Sequence, residues 1–588
     1  LKIERIKGVK QVSIDHRQCL MEELEKWHKD YNPELHMVRR PFSTPGYHTT
    51  LKDVAFTHPT LAAFIYALGL LDSEEDTYKE RASDILRKGI SLQDQNRENS
   101  TYGIWSWFLE EPLTMMAPPD WNWADFCGKR LVLAEQRHGN RLPADLREQI
   151  RFAVFCACDA IMKRNVGPGY TNIAIMGAFV TLIAGEVFGV EQYTEYGLER
   201  LRKFSDYTHE LGTFQEFNSP TYTVVAIQEL SSIHTSTKLP EAKRLSADML
   251  DVAWRMVAEH YHVPTGQWSG PHSRSYSTVM TDSVKSFLQM ACGEDTVSLQ
   301  SEAPLIYSLD WYGNHIECPP AYKPAFVDGN GGEYTQVIHK DAQGNAINIA
   351  TTYKDERISL GTFSKDVMWN QRRNLLAYTR NGDSFSYIHL RFLHDGYDYS
   401  SAVFTSRQDR TDVLLGIGFC TNGGDTHIGL DLIDGTLEAA DLRLRFEIGG
   451  CLEGVETRIK EDTEAVHVKL DDAALAMRAA VLFASFDGEQ PHWEITRDGE
   501  RLYVDYIIYA GDKKRFDFRS MQEALLVLAF RLSGEEAAPF EASVVSLGPE
   551  TGSLGSQVHA TYQTIGGSLL ELTLPLKPAA KQQMLHRK

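Results

Sequence analysis

Around residue 305 the hydrophobic period of the chain changes from three-and-four to two, and that change restricts the fold more than any motif does. From about residue 16 to 300, apolar residues recur at helical spacing in HPTLAAFIYALGLL, PADLREQIRFAVFCACDAIMKR, TNIAIMGAFVTLIAGEVFG and their neighbours, the spacing of packed helix faces. Several of these segments are apolar on more than one face, as an inner layer of helices covered on both sides would be. Beyond 305, YTQVIHK, AINIATTYK, SYIHLRFL, DVLLGIGFC and RLYVDYIIYA alternate and are separated by DGNGG, TNGGDT and RDGE, which are strand and hairpin signals. A run of helices followed by a run of strands predicts an α+β multidomain protein. The expectation is an N-terminal (α/α) toroid over residues 1–310 and a C-terminal antiparallel β-sandwich over 320–588, joined near PPAYKPAF, 319–326.

With 588 residues the chain can bury two or three cores without disulfide or metal staples. No apolar run reads as a membrane span, and a net charge of −20 argues against nucleic acid, which needs a broad basic face. An acidic glycan remains compatible if it meets a local basic site, which draws attention to Arg274, Arg372 and Arg373. The eight cysteines include no CxxC pair, and Cys156 and Cys158 read as buried thiols. That pattern points to a reducing, cytoplasmic compartment. The start, LKIERIKGVKQVSID, has no apolar signal core and no initiator Met, so periplasmic or secreted placement stays open if a signal peptide has been removed. No phosphate-cradling loop, nucleophile elbow, HExxH or EF-hand pattern occurs, so no cofactor or metal is expected.

Three loops are richer in Asn, His, Arg and Tyr than packing requires: GPGYTN (167–172), GTFQEFNSPTYTVV (212–225) and GQWSGPHSRSYS (266–277). Such residues suit β-elimination from a uronate. The carboxylate beside C5 must be neutralised by hydrogen-bond donors, as an oxyanion site does, while a base removes the C5 proton and an acid serves the leaving oxygen. A Tyr working as base near neutrality needs its pKa brought down from about 10 to about 7, on the order of 4 kcal/mol, which neighbouring cations can supply. Asn172, Tyr222, His272, Arg274 and Tyr276 provide this inventory.

The segment GTFQEFNSPTY, with a helix following Tyr222, resembles the heparinase II/III and alginate lyase superfamily, in which a Gly-x-x-x-Glu-x-x-Ser-Pro-x-Tyr type segment carries the catalytic tyrosine. Asn172, fifty positions upstream at the start of an apolar helix, is similar to the family's carboxylate-neutralising Asn. The resemblance implies a toroid-plus-sandwich lyase with Tyr222 and Asn172 in catalysis; the residues themselves add His272 and Tyr276 to the expected catalytic set and Arg274, Glu216 and Asn218 to the expected substrate-binding residues. The chain departs from the family in two places. Ile173 stands where many of these lyases have a His after the Asn, so His272 is the chosen partner, and no His-Gly-His-Ala-Asp-like segment occurs in the strand region, where His394 and His339 are the nearest substitutes.

Aromatic and basic residues elsewhere complete the expected binding surface. Trp105, Trp107, Trp121 and Trp123, four of the ten Trp within a stretch of 26 residues, are candidate sugar platforms; Tyr47 and His48 form a candidate mouth loop; Trp369 and Arg372, in SKDVMWNQRRN, interrupt strand alternation and are expected to bind acidic sugar. Each has a plainer alternative: Asn172 as a helix-start residue, Tyr222 as helix-entry packing after Pro220, the tryptophans as interhelical filler. Two rival functions use the same architecture. A glycoside hydrolase would need a carboxylate pair drawn from Glu110, Glu111, Asp125, Asp206 and Glu216, and a glycan-binding protein would need no proton transfer.

Overall fold

The computed structural model describes residues 14–44, 46–293, 305–329, 331–460, 465–470, 475–534, 539–548 and 555–586; most of the N-terminal segment read for a signal lies outside them. The chain divides into two compact units, and the division is not a single cut. The first comprises 1–210, 222–254 and 282–323; the second takes 211–221 and 255–281 as well as 324–588. The last crossing falls at Lys323–Pro324, inside the 319–326 stretch, but two loops embedded among the helices belong with the strands.

The first unit is built on α1 (His16–His28), α2 (Thr60–Asp72), α3 (Lys79–Ile90), α4 (Trp123–His138), α5 (Ala144–Arg164), α6 (Thr171–Phe188), α7 (Glu191–Leu211), α8 (Tyr222–Ser236), α9 (Pro240–His260, whose last turn belongs to the second unit) and α10 (Asp282–Cys292). Of these, α2 and α6 are buried almost throughout, as their all-round apolar sequences require. By length and composition α6 could cross a membrane, contrary to the reading that no run qualifies, yet 83% of it is buried inside this unit. It is a core helix.

Polar ties fix the directions of the helices. At their C-terminal ends α2 and α4 share Asp72, which lies 2.7 Å from His138 Nε2 and accepts from Arg137 Nη1 at 3.1 Å. At their N-terminal ends α4 and α6 are joined by Asn122, whose amide donates to the Tyr170 hydroxyl at 3.3 Å. Glu186, near the end of α6, accepts from the Thr237 hydroxyl and, at 2.7 Å, from the Lys238 N–H just past α8. Hence α2, α4, α6 and α8 are parallel. Between them α7 runs back against α6 at close range: a Cβ on Gly197 would stand 2.5 Å from the Leu182 nitrogen, and Arg200 donates to the Ala174 and Ile173 carbonyls at 3.0 Å each. Parallel inner helices with returning outer ones make the (α/α) toroid.

Two buried ion pairs hold the middle. Lys129 Nζ donates to Glu229 Oε1 at 2.6 Å, joining α4 to α8, and Arg130 grips Asp310 with two bonds of 3.2 and 2.6 Å. Burial pulls the Lys129 pKa down while Glu229 opposes the shift.

The second unit is an antiparallel β-sandwich. One sheet follows the order His492–Asp498, Arg501–Asp517, Thr436–Gly450, Ser384–His394, Leu375–Asn381, Ile358–Phe363, Ala346–Lys354, Gly332–Lys340, with Tyr397–Asp398 paired to Ser384–His394. The facing sheet has seven strands centred on Asp412–Phe419 and Ala524–Gly534. Leu360, Ile388, Phe392 and Phe446 from the first meet Val413, Leu526 and Phe530 from the second in one core. A third sheet, Glu541–Leu547, Gln557–Gln563 and Leu569–Pro575, covers the other side of the seven-stranded one. Leu525 and Val527 face it while Leu526 and Leu528 face the main core, so ALLVLAF is a continuous apolar run because both faces of that strand are covered.

Removing one partner of a buried pair leaves an uncompensated charge. Lys129→Met is expected to lower stability by about 3–5 kcal/mol, with Lys129→Met/Glu229→Leu recovering most of the loss; urea unfolding of the three proteins measures both effects.

Candidate functional site

Because the inner helices are parallel, their N-terminal ends open on one face of the first unit. Asn172 lies fourteen positions before Glu186, and Tyr222 fifteen and sixteen before its partners Thr237 and Lys238, about 21 Å and about 22–24 Å along the two axes at 1.5 Å per residue. They therefore stand at nearly the same level on helices packed against each other. Asn172 is buried in the first turn of α6, and Tyr222, the first residue of α8, is partly exposed. The cap of α6 is Tyr170, whose side chain makes no capping bond, so Asn172 is not the helix cap.

Aromatic residues surround the start of α4 on the same face. The Trp123 ring lies 5.0 Å from Trp107, which lies 5.2 Å from His48, which in turn lies 5.3 Å from Tyr47. His48 is pinned by its N–H to the Ala117 carbonyl at 2.9 Å and by Nδ1 to the Pro118 carbonyl at 2.6 Å. Trp107 and Trp123, two of the four candidate platforms, belong to this cluster. Trp105 does not: it is fully buried and donates to the Gly89 carbonyl at 3.0 Å, so it is helix filler and cannot serve as a sugar platform.

The charge pattern of this face is unusual. Helices ordinarily accept an acidic residue in the first turn, where the macrodipole is positive. The outer helices do, with Glu80, Asp145, Glu191 and Glu241 in α3, α5, α7 and α9. Among the inner helices α2, α6 and α8 carry none, and the single acid in α4, Asp125, has its pKa pushed up to about 7 by burial. Of the four inner helices only α4 thus has an acid in its first turn; from outside the first turns, Asp120 accepts from the Asn122 N–H at 3.0 Å before α4, and Glu110 accepts from the His58 N–H at 3.1 Å before α2.

In the second unit, Gly270 crosses the sheet at Gly361, where a Cβ would stand only 2.1 Å from the Gly270 carbonyl carbon. The strand Leu375–Asn381 is approached by 272–275, with His272 and Arg373 exchanging backbone bonds of 3.2 and 2.9 Å and the Ser275 N–H reaching the Gln371 carbonyl at 2.6 Å. Asn218, at φ +48°, brackets this loop: its amide nitrogen donates to the Ser269 and Pro271 carbonyls at 2.8 and 2.9 Å, its amide oxygen accepts from Trp268 Nε1 at 2.6 Å, and its carbonyl lies 2.6 Å from His272 Nδ1. With that side chain so engaged, Asn218 is a scaffold residue rather than a substrate contact.

His272 is buried, and burial first, then Arg373 and His260, lower its pKa to about 3. It is neutral at physiological pH and cannot neutralise a carboxylate by charge. Arg274 carries charge that Glu216 matches: its Nη1 donates to Glu216 at 2.7 Å, Nε and Nη2 to Gln371 at 3.1 Å each, and its guanidinium lies 5.6 Å from the Trp369 ring. Trp369 itself is 4% exposed, packed with Val367, Val403 and Met584, and Arg372 pairs with buried Asp366; both belong to the fold of the turn and not to an open binding surface. His394 lies 2.6 Å from Asp425 with its ring edge-on to Tyr399. Tyr276 is 54% exposed.

The carboxylates proposed for a hydrolase are occupied or dispersed. Glu110 lies 2.5 Å from His58 Nδ1, Glu111 accepts from Thr50, Glu216 holds Arg274, and Asp125 is buried. Among the described residues, no three His, Cys, Asp or Glu side chains gather as a metal would need.

Residues 33–313 match a domain family of unknown function, DUF8769. No curated protein matches the sequence. Among solved structures the chain is similar to heparinase III, at 11% identity over 97% of this chain and 93% of the other, with a TM-score of 0.45. It is also similar to the chondroitin AC lyase of Streptomyces coelicolor A3 in complex with chondroitin sulphate, at 10% identity, 97% and 96% coverage and TM-score 0.44, and to a heparan sulfate lyase mutant from Pedobacter heparinus, at 10% identity, 97% and 90% coverage and TM-score 0.39.

Two outcomes follow from the second-unit geometry. Asn218→Ala strands the Trp268 N–H and the Ser269 and Pro271 carbonyls, each worth about 1–3 kcal/mol when buried without a partner, so chemical unfolding should show a loss of several kcal/mol. His260, His262 and His272 have pKa values lowered to about 3, 4 and 3, and His389 is lowered well below its ordinary value, burial being the first cause in each. Each His binds a proton in the unfolded chain below about pH 6.5 but not yet in the fold, so stability is full above pH 6.5 and falls as pH drops, by about 1.4 kcal/mol per pH unit for each. Thermal unfolding between pH 7 and 4.5 should show this decline, and His262→Gln should make it shallower.

Proposed function

We propose that the protein is a polysaccharide lyase that cleaves uronate-containing glycans by β-elimination, with Asn172 holding the substrate carboxylate and Tyr222 transferring protons. The observation that carries this reading is the placement of Asn172 and Tyr222 at nearly one level on adjacent parallel helices, α6 and α8, whose first turns carry no acidic residue. Such helix ends favour an anionic substrate, and the neighbouring Trp107–Trp123–His48 cluster offers ring surfaces to sugars.

In the proposed reaction a base takes the C5 proton and the electron pair left behind is stabilised through the carboxylate, whose growing negative charge the Asn172 amide meets. The pair then forms the C4–C5 double bond as the C4–O bond breaks, and the leaving oxygen receives a proton. Tyr222 serves as base, acid or both in turn. Within the second unit Glu216 holds Arg274, and neutral His272 with Asn218 fixes the loop; Tyr276, exposed there, is the reserve acid.

Ultraviolet absorbance of the conjugated product, followed against heparan sulfate, hyaluronan, alginate and glucuronan, tests the reading. The wild type is expected to generate absorbance on at least one substrate, and Tyr222→Phe to reduce the rate about 10²–10⁴-fold. New reducing ends without absorbance would make the enzyme a hydrolase, and binding without either product would leave a glycan-binding protein.

A further inference from the structure

The outer face of the larger sheet in the second unit holds a cavity of about 590 Å³, with Arg373 in its wall and Tyr276 at its edge, within the ~300–1,000 Å³ range of small-molecule sites. Its floor is Tyr387, His389 and Arg391, which alternate along one strand with the core residues Ile388, Leu390 and Phe392. Strands exposed on one side normally present small or solvated residues there; this one presents an aromatic ring, an imidazole and a guanidinium.

The charges in the cavity do not cancel. Arg391 grips Asp398 with bonds of 3.0 and 2.6 Å and donates to Glu447 at 2.8 Å, and Arg501 stands 3.8 Å from the same Glu447. Two cations thus match two anions, and Arg373 is left over. It is 5% exposed, its Nη1 donates to the Asn370 carbonyl at 2.5 Å, and its Nε is buried with no hydrogen-bond partner. An uncompensated buried guanidinium is costly to the fold; burial lowers its pKa to about 10, which still leaves it charged at neutral pH. His389 beside it is held neutral by burial and by Arg373 and Arg391, so it adds no competing charge.

We propose that this cavity binds the oxyanion of an acidic sugar, a ring-borne carboxylate or sulfate ester, with Arg373 as its counter-ion. The planar guanidinium suits a two-oxygen contact, and the partly exposed rings of Tyr276 and Tyr397 at the mouth can lie against the sugar. The inference concerns binding alone and does not depend on the elimination chemistry.

Titration calorimetry on the full chain carrying Asn172→Ala and Tyr222→Phe, so that nothing is consumed and the proposed elimination site does not hold the carboxylate, tests it with four probes: methyl glucuronoside, glucose 6-sulfate, methyl glucoside and inorganic sulfate. At least one acidic sugar should bind while the neutral glucoside does not, and which of the two binds distinguishes carboxylate from sulfate ester. Arg373→Gln should abolish binding. Since that side chain is buried, Arg501→Gln at the half-exposed rim provides a second variant, expected to weaken binding about 5–10-fold through lost positive potential. Equal binding of the glucoside, inorganic sulfate bound as tightly as the sugars, no binding of any probe, or unchanged affinity in folded Arg373→Gln would each overturn the proposal. Persistence of elimination in Arg501→Gln with binding of these probes lost would separate the two functions.

Discussion

The arrangement depends first on the need to bury α2 and α6 on every side. Helices as apolar as these cannot lie at a surface, and once they form an inner layer the returning helices must lie outside. Asp72, Asn122 and Glu186 tie the inner helices at matching ends, which makes them parallel and gathers their positive ends on one face. The position of Asn172 beside Tyr222 follows from that packing. It does not require either residue to be selected by the other.

The two units handle polar burial differently. In the helical unit the buried cations Lys129 and Arg130 are paired, with Glu229 and Asp310. In the strand unit, imidazoles are kept neutral by burial and serve as shaped hydrogen-bonding parts, as His272 does against the Asn218 carbonyl. Arg274 and Arg373 retain charge there, the first matched by Glu216 and the second unmatched.

The helical and strand regions were legible because hydrophobic period is a local signal: TNIAIMGAFVTLIAGEVFG becomes α6, and RLYVDYIIYA falls within the strand Arg501–Asp517. The membership of 211–221 and 255–281 in the strand unit was not, since it rests on contacts such as Gly270 over Gly361 and His272 against Arg373, which leave no periodic trace. Trp105 looked like a sugar platform, and Trp369 like part of a binding turn, because residue type alone does not report burial. Asn218 looked like a motif residue, whereas its bonds to Trp268, Ser269 and Pro271 make it a bracket. The cavity around Arg373 did leave a signal, in the Tyr-His-Arg set facing outward in SYIHLRFLH, but alternation was read there for the core residues and not for what lay between them.

If Asn172 and Tyr222 act as one catalytic unit, as their common level implies, their effects on rate must not add. The decisive measurement is the elimination rate of Asn172→Ala, Tyr222→Phe and the double variant on the same uronate glycan. The account predicts that the double variant is no slower than the slower single one. Independent, multiplying losses, or a Tyr222→Phe enzyme that turns over like wild type, would contradict it.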